Sequence, residues 1–483
     1  MFALAGGAAL WLVLSSGLGL IASIKFHSPG FLADSAWLSY GRVFPASTNA
    51  LVYGFAIPAG LGVGLWLLAR LGRVPLTQPW LIAVAAKLWH FGVLVGLFGI
   101  LGGDATGFEW LEMPRHAAVI LFVAFLLIAL PGIATHHARR RGREGAASAR
   151  GREVRLAPAT TLYPSQWFVL AALFWFPWIY STANLLLLVY PVRGVAQAAI
   201  QWWYSGNLLF VWFSLAGLGA SFYFLPKLSG RPLQSHYLAL LAFLTLILFG
   251  AWVGIPAGAT LPAWMPALSG VATVSTLVPL LTVAMMAVQT VRGTKTEGAG
   301  GPLGYVKFGV FSFVLSGVML VASALPEINR VTDFTWFGAA QSQLRIYGFF
   351  AMTMFGAIYY ILPRAVGVEF PFAKLIRAHF WCGVVGTLLL ALPLGIGGIV
   401  QGLKLVNPSV AFLDVTKSTL VFLRLGTVGE LLIALGNLLF LLNLLAVVVR
   451  YNRAVCRKVY AAVTARWESS PDPSKEGNAE VRV

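Results

Sequence analysis

Charge is what this 483-residue chain has least of: Asp, Glu, Lys and Arg together make up 10% of it. Soluble globular proteins approach a quarter, so a water-soluble enzyme is excluded. Cysteine is nearly absent too. Cys382 and Cys456 stand alone, which excludes a disulfide-built fold, paired-cysteine zinc sites and a C-x-x-C-H haem attachment site. Acidic residues number 16 against 34 Lys and Arg, and His only seven. The chain has no Walker loop, no dinucleotide glycine fingerprint and no H-E-x-x-H helix. It also lacks the polarity that disorder requires, except in the tail 467–483, which is expected to be disordered.

What is abundant is apolar. Hydrophobic residues make up 59%, with 51 Gly and 17 Trp. A bilayer-spanning helix takes roughly 20 apolar residues, and runs of that kind begin near Ala3, Ser47, Trp80, Ala117, Trp167, Ala198, Tyr237, Trp264, Gly304, Gln341, Phe380 and Lys417. The expected architecture is therefore an all-α polytopic membrane protein with twelve transmembrane helices over residues 1–466. The first run has no basic leader and is too long for a cleavable signal, so it is expected to stay as an anchor.

The net charge of +18 would suit nucleic acid if it formed one patch, but it does not. Most Lys and Arg fall in the loops after even-numbered spans and in the tail, with the densest run in the loop 136–166. Under the positive-inside rule both termini and that basic loop are cytoplasmic. The excess is read as a topological signal with affinity for anionic lipid, not as a nucleic-acid site. The opposite loops 26–45, 103–114, 326–340 and 402–416 are rich in Trp, Phe, Pro and Gly. They form either an ordered outer cap for a partner or an aromatic interfacial belt.

Several motifs are distinctive. Gln201-Trp202-Trp203-Tyr204-Ser205-Gly206-Asn207 opens the sixth span, and Tyr223-Phe224-Leu225-Pro226-Lys227 closes it. Leu261-Pro262-Ala263-Trp264 precedes the eighth span, and Tyr359-Tyr360-Ile361-Leu362-Pro363-Arg364 ends the tenth. Pro45, Thr48, Asn49 and Ala50 open the second, followed by Glu112 and Pro114 in a loop, and by Arg424 and Asn443 in the last. In this order the series resembles subunit I of the haem–copper oxidases, specifically the cbb3-type, with its QWWYGHN, YFVPK, LPDW, YWLVPR, PLHTNA and ELEWP segments. The resemblance covers nearly the whole chain and implies that family's helical bundle.

The same resemblance implies six histidine ligands, because haem iron and copper need imidazole nitrogen aimed from fixed helices. None is present at the matching positions. The low-spin haem ligand of the second span falls on Ser47, and the H-V-H of the tenth falls on Gln341-Ser342-Gln343. The first copper ligand falls on Gly206, and the copper pair falls within 253–260, which holds no His and is about two residues shorter. The redox tyrosine falls near Phe313. His90 and His116 are the pair that neighbouring spans could bring together on a haem b, and nothing in the sequence requires it.

Ionisable residues inside spans are functional candidates by default. Arg345, four residues after Gln341, either fills and charges the vacated space or, as preferred here, pairs with Glu430. Lys87 and His90, three apart, share a helical face, and Lys87 is expected to snorkel to the inner interface. These features imply a subunit I-like scaffold without haem or copper. It would sit in a bacterial inner-membrane respiratory complex beside partners such as a membrane-anchored c-type cytochrome. An active cbb3-type oxidase or nitric oxide reductase subunit is one alternative. A transporter or a quinone- or lipid-binding protein using the emptied cavity is the other.

Overall fold

A computed structural model describes residues 2–148, 162–293 and 300–468. The rest of the basic loop 136–166 and of the tail 467–483 lies outside the described residues. Among the described residues every regular element is helical. That follows from the apolar runs, since in lipid each backbone N–H and C=O must be satisfied within its own segment.

The long helices are α1 (Phe2–His27), α2 (Tyr40–Gly72), α3 (Pro79–Gly102), α4 (Arg115–Ser148), α5 (Pro164–Val189) and α6 (Val195–Ser229). They continue with α7 (His236–Gly250), α8 (Trp264–Val291), α9 (Pro302–Ser323), α10 (Trp336–Val366), α11 (Ala373–Leu405) and α12 (Phe412–Glu468). Their boundaries carry ordinary punctuation. Proline opens α3, α5 and α9, where its missing N–H costs nothing. Gly230 and Gly367, both with positive φ, end α6 and α10, as left-handed caps do.

Among the described residues, eleven helices are long and apolar enough to cross a membrane. The expected count of twelve included the run from Tyr237, and here the structure differs. That run is α7, with 15 residues, which is about 22 Å at 1.5 Å per residue and short of the ~30 Å hydrocarbon core. It stops at Gly250 because the following turn folds back onto α6. The Asn207 amide donates to the Ala251 carbonyl at 3.1 Å, and Gly254 adopts φ 120°. Another difference concerns the basic loop: α4 continues unbroken through residues 136–148.

Three helices form the centre. The most apolar stretches of α2, α6 and α10 are 94%, 89% and 100% buried, against 39–56% for the other eight spans. Packing between them is close because small residues meet aromatic ones. Gly217 of α6 faces the Phe349 ring and Gly60 of α2 faces Phe350, a membrane-helix contact driven by fit instead of water exclusion.

Candidate functional site

The three central helices share a feature that sequence periodicity does not reveal. Each contains a π-helical segment: Ala50–Ala56 in α2, Asn207–Trp212 in α6 and Leu344–Ala351 in α10. Their ends bond five residues back, Ile57 N–H to Val52 O, Phe213 N–H to Leu208 O and Met352 N–H to Tyr347 O. The segments start three residues after Ser47 and directly after Gly206 and Gln343, three of the positions where the sequence resemblance led us to expect ligands. A fourth, Leu185–Val189, ends α5. Wide turns of this kind concentrate at functional sites.

Around Gly206 the space is closed by backbone. A Cβ at Gly206 would collide with the Val253 carbonyl and would lie 3.1 Å from Gly254 Cα. Asn207 fastens that turn. It accepts from the Trp175 indole at 3.1 Å and donates to the Trp203 carbonyl at 2.9 Å as well as to Ala251.

Arg345 lies deeper, 3% exposed. Its guanidinium carbon is 4.9 Å from the centroids of both the Phe210 and Phe313 rings. Nη1 reaches Ser214 Oγ at 3.4 Å, and Nη2 finds no hydrogen-bond partner among the described residues. The expected ion pair with Glu430 is not formed. Arg345 faces α6 and α9, whereas Glu430 faces a different space. Two residues apart on α10, Arg345 and Gln343 point to different sides of the helix, and Glu430 lies on the Gln343 side.

Glu430, Gln343 and Ser47 meet at a cavity of about 40 Å³ between α1, α2, α10 and α12, together with Ser15, Ser16, Thr48 and Tyr347. Its hydroxyls are engaged. Ser47 Oγ donates to the Phe44 carbonyl and Ser15 Oγ to the Ser47 carbonyl, both at 2.8 Å. Tyr347 donates to Asn437 Oδ1 at 2.7 Å, and Asn437 Nδ2 donates to Ser16 Oγ at 2.7 Å. Gln341 is half-buried outside this lining.

These residues do not fit a haem or a copper ion. The cavity has room for about one water molecule, whose share of liquid volume is ≈ 30 Å³, and not for a porphyrin. Ser47 and Gln343 bring oxygen and amide groups where iron takes imidazole. On the copper side Gly206 brings no donor, and the Arg345 cation lies where a second cation would be repelled.

The remaining candidates separate. Lys87 is exposed on α3, consistent with a snorkelling side chain. Its neighbour His90 instead turns to α1, where Nδ1 accepts from the Trp11 indole at 3.1 Å. The two therefore do not form a joint site. His116 is exposed at the first turn of α4, whereas His90 sits in the middle of α3 and turns to α1. A histidine the sequence did not single out, His379, is fully buried on α11. It bonds Tyr359 at 2.9 Å, and the Tyr305, Phe355 and Phe440 rings enclose it.

The loop 103–114 is packed as a cap and not only as a belt. The Asn49 amide donates to Glu112 Oε2 at 2.7 Å, and the Tyr53 hydroxyl, 2.6 Å from that of Tyr204, donates to the Trp110 carbonyl at 2.6 Å. Burial pushes the Glu112 carboxyl up to about 7, against the lowering effect of the Asn49 bond. Burial also raises Glu109.

With this geometry in hand, comparisons with known proteins agree on one family. The profile described as Cytochrome C and Quinol oxidase polypeptide I matches residues 2–432. The chain is similar to the cbb3-type cytochrome c oxidase subunit CcoN1 of Stutzerimonas stutzeri, 24% identical, over 95% of this chain and 94% of that protein. It is also similar to a cytochrome c oxidase subunit 1 homolog of Azorhizobium caulinodans, 22% identical, over 92% of this chain and 80% of the relative. Among solved structures, a cryo-EM structure of a heme-copper terminal oxidase dimer matches with a TM-score of 0.68 at 16% identity. That match covers 92% of this chain and 83% of the other.

Proposed function

Because the chain belongs to the cytochrome c and quinol oxidase polypeptide I family, we propose that it is a subunit I fold kept as a scaffold, without haem or copper of its own. The observation that carries this reading is Arg345, whose cation lies between Phe210 and Phe313 beside the position matched to the redox tyrosine. The Val253 carbonyl against Gly206 and the small cavity between Ser47 and Gln343 support it from two further ligand positions.

The scaffold would belong to a bacterial inner-membrane respiratory complex, as the relatives' names suggest. The packed outer loops offer the docking surface. Phe334 is 84% exposed and Trp37 51% on these outer loops, a pattern suited to a membrane-anchored c-type cytochrome subunit. A quinone site in the former haem space is disfavoured by the cavity of about 40 Å³. An active oxidase or nitric oxide reductase would need donors that the chain lacks at these positions.

Affinity purification of the full chain from its native membrane tests the scaffold role. A stoichiometric c-type cytochrome co-eluting with it is the expected result. A chain that elutes alone from gently solubilised membranes contradicts it.

A further inference from the structure

The cavity between Ser47 and Gln343 is not merely a haem site that has shrunk, because its lining has a consistent polarity. Every hydroxyl there spends its proton elsewhere. Ser47 and Thr48 donate to the Phe44 and Pro45 carbonyls, Ser15 to the Ser47 carbonyl, Ser16 to the Leu12 carbonyl and Tyr347 to Asn437. What these groups leave available is oxygen lone pairs. The Gln343 amide and the Glu430 carboxylate complete the wall. Gly19 holds this space open, since a Cβ there would lie 3.7 Å from Glu430 Oε2 and 3.9 Å from Ser47 Cβ.

Hydroxyl oxygens and an amide that can turn its oxygen inward, around one intramembrane carboxylate, suit a hard cation, which takes oxygen ligands. One carboxylate balances one charge, and an unbalanced second charge would be costly at this depth. The volume of about 40 Å³ admits an ion of about water size. We infer that this cavity is a binding site for a monovalent metal cation, with Glu430 as its counter-charge and Ser47, Thr48 and Gln343 among its oxygen ligands.

The approach to the site is polar as well. Ser23 Oγ lies 2.7 Å from Thr427 Oγ1, and His27 Nε2 lies 3.1 Å from the same oxygen. Thr427 is one turn from Glu430 on α12, and Ser23 is one turn from Gly19 on α1. These groups line the α1–α12 seam from the end of α1 to the cavity. Among the lining residues only Glu430 and Tyr347 titrate, and the Tyr347 hydroxyl is held by Asn437.

This inference rests on the haem-free reading above, so its test keeps the two apart. Sodium is the probe. Tracer sodium binding to the purified full chain, with choline as the control cation, is expected to be saturable and stoichiometric. Glu430→Gln abolishes it, Ser47→Val weakens it about tenfold, equal to ~1.4 kcal/mol, and Lys87→Gln on the exposed face of α3 leaves it intact. Should Glu430→Gln fail to fold, Gln343→Leu carries the same expectation of weakened binding. No saturable sodium binding, or binding that survives Glu430→Gln unchanged, overturns the site. A reduced-minus-oxidised spectrum of the same sample separates the causes. Haem in it defeats the haem-free reading, whereas a sample free of both haem and sodium defeats only the cation site.

Discussion

The Arg345 guanidinium carbon lies 4.9 Å from the Phe313 ring centroid, so a cation faces a phenyl group that has no hydroxyl to oxidise. The contact is a cation–π pair, strongest when desolvated as here. Replacing a buried charge with a hydrophobe of similar volume is often neutral or stabilising. Arg345→Met should therefore keep or raise the thermal unfolding midpoint in detergent. Phe313→Ala should lower stability by about 3–5 kcal/mol, since it empties a packed aromatic site. An Arg345→Met chain that folds but loses its partners would show that the cation has a role beyond packing.

Gly206 allows a backbone approach that no other residue permits, with Gly254 Cα 3.1 Å from where its Cβ would be. Gly206→Ala is predicted to cost about 1–3 kcal/mol, as overpacking does, and to speed amide exchange selectively in the turn after α7. Gly206→His should cost more and still recruit no copper by metal analysis.

The Lys87 and His90 side chains, three residues apart, should behave oppositely. His90→Phe leaves the Trp11 indole N–H without this acceptor and should cost about 1–3 kcal/mol. Lys87→Gln, exposed on α3, should stay within about 0.5 kcal/mol of the native chain. Thermal unfolding of the two variants side by side checks the contrast.

Glu112 predicts a pH dependence. Its carboxyl is raised in the folded chain from 4.5 to about 7, so the folded state binds the proton more tightly than the unfolded state. The stability this contributes is full below pH 4.5 and is lost as pH rises through about 7. Glu112→Gln keeps an acceptor for Asn49 and removes the titration. It should flatten the midpoint-against-pH curve in that window and be the more stable form above pH 7.

Most of the bundle was legible in the sequence because a span is a long apolar run, and α3, α7 and α8 begin within one residue of Trp80, Tyr237 and Trp264. The start of α2 was not. Its first turn, from Tyr40, carries Arg42, whose guanidinium bonds the Leu101 carbonyl at 3.2 Å, and hydropathy reads such a residue as loop. The short α7 was missed for the converse reason: what ends it is Asn207, more than 40 residues away in sequence. At the site, the residues at the expected ligand positions were readable one by one, but what packs around them was not. Arg345 meets Phe210 and Phe313, and Glu430 meets Gln343 and Ser47, only through packing of separate helices.

The central claim, that this subunit I fold carries no redox centre, is tested most directly by a pyridine haemochrome assay and copper analysis on the purified full-length chain. The account predicts neither stoichiometric haem b nor copper. A stoichiometric haem b bound to this chain alone, with its α-band in the reduced-minus-oxidised spectrum, would contradict it.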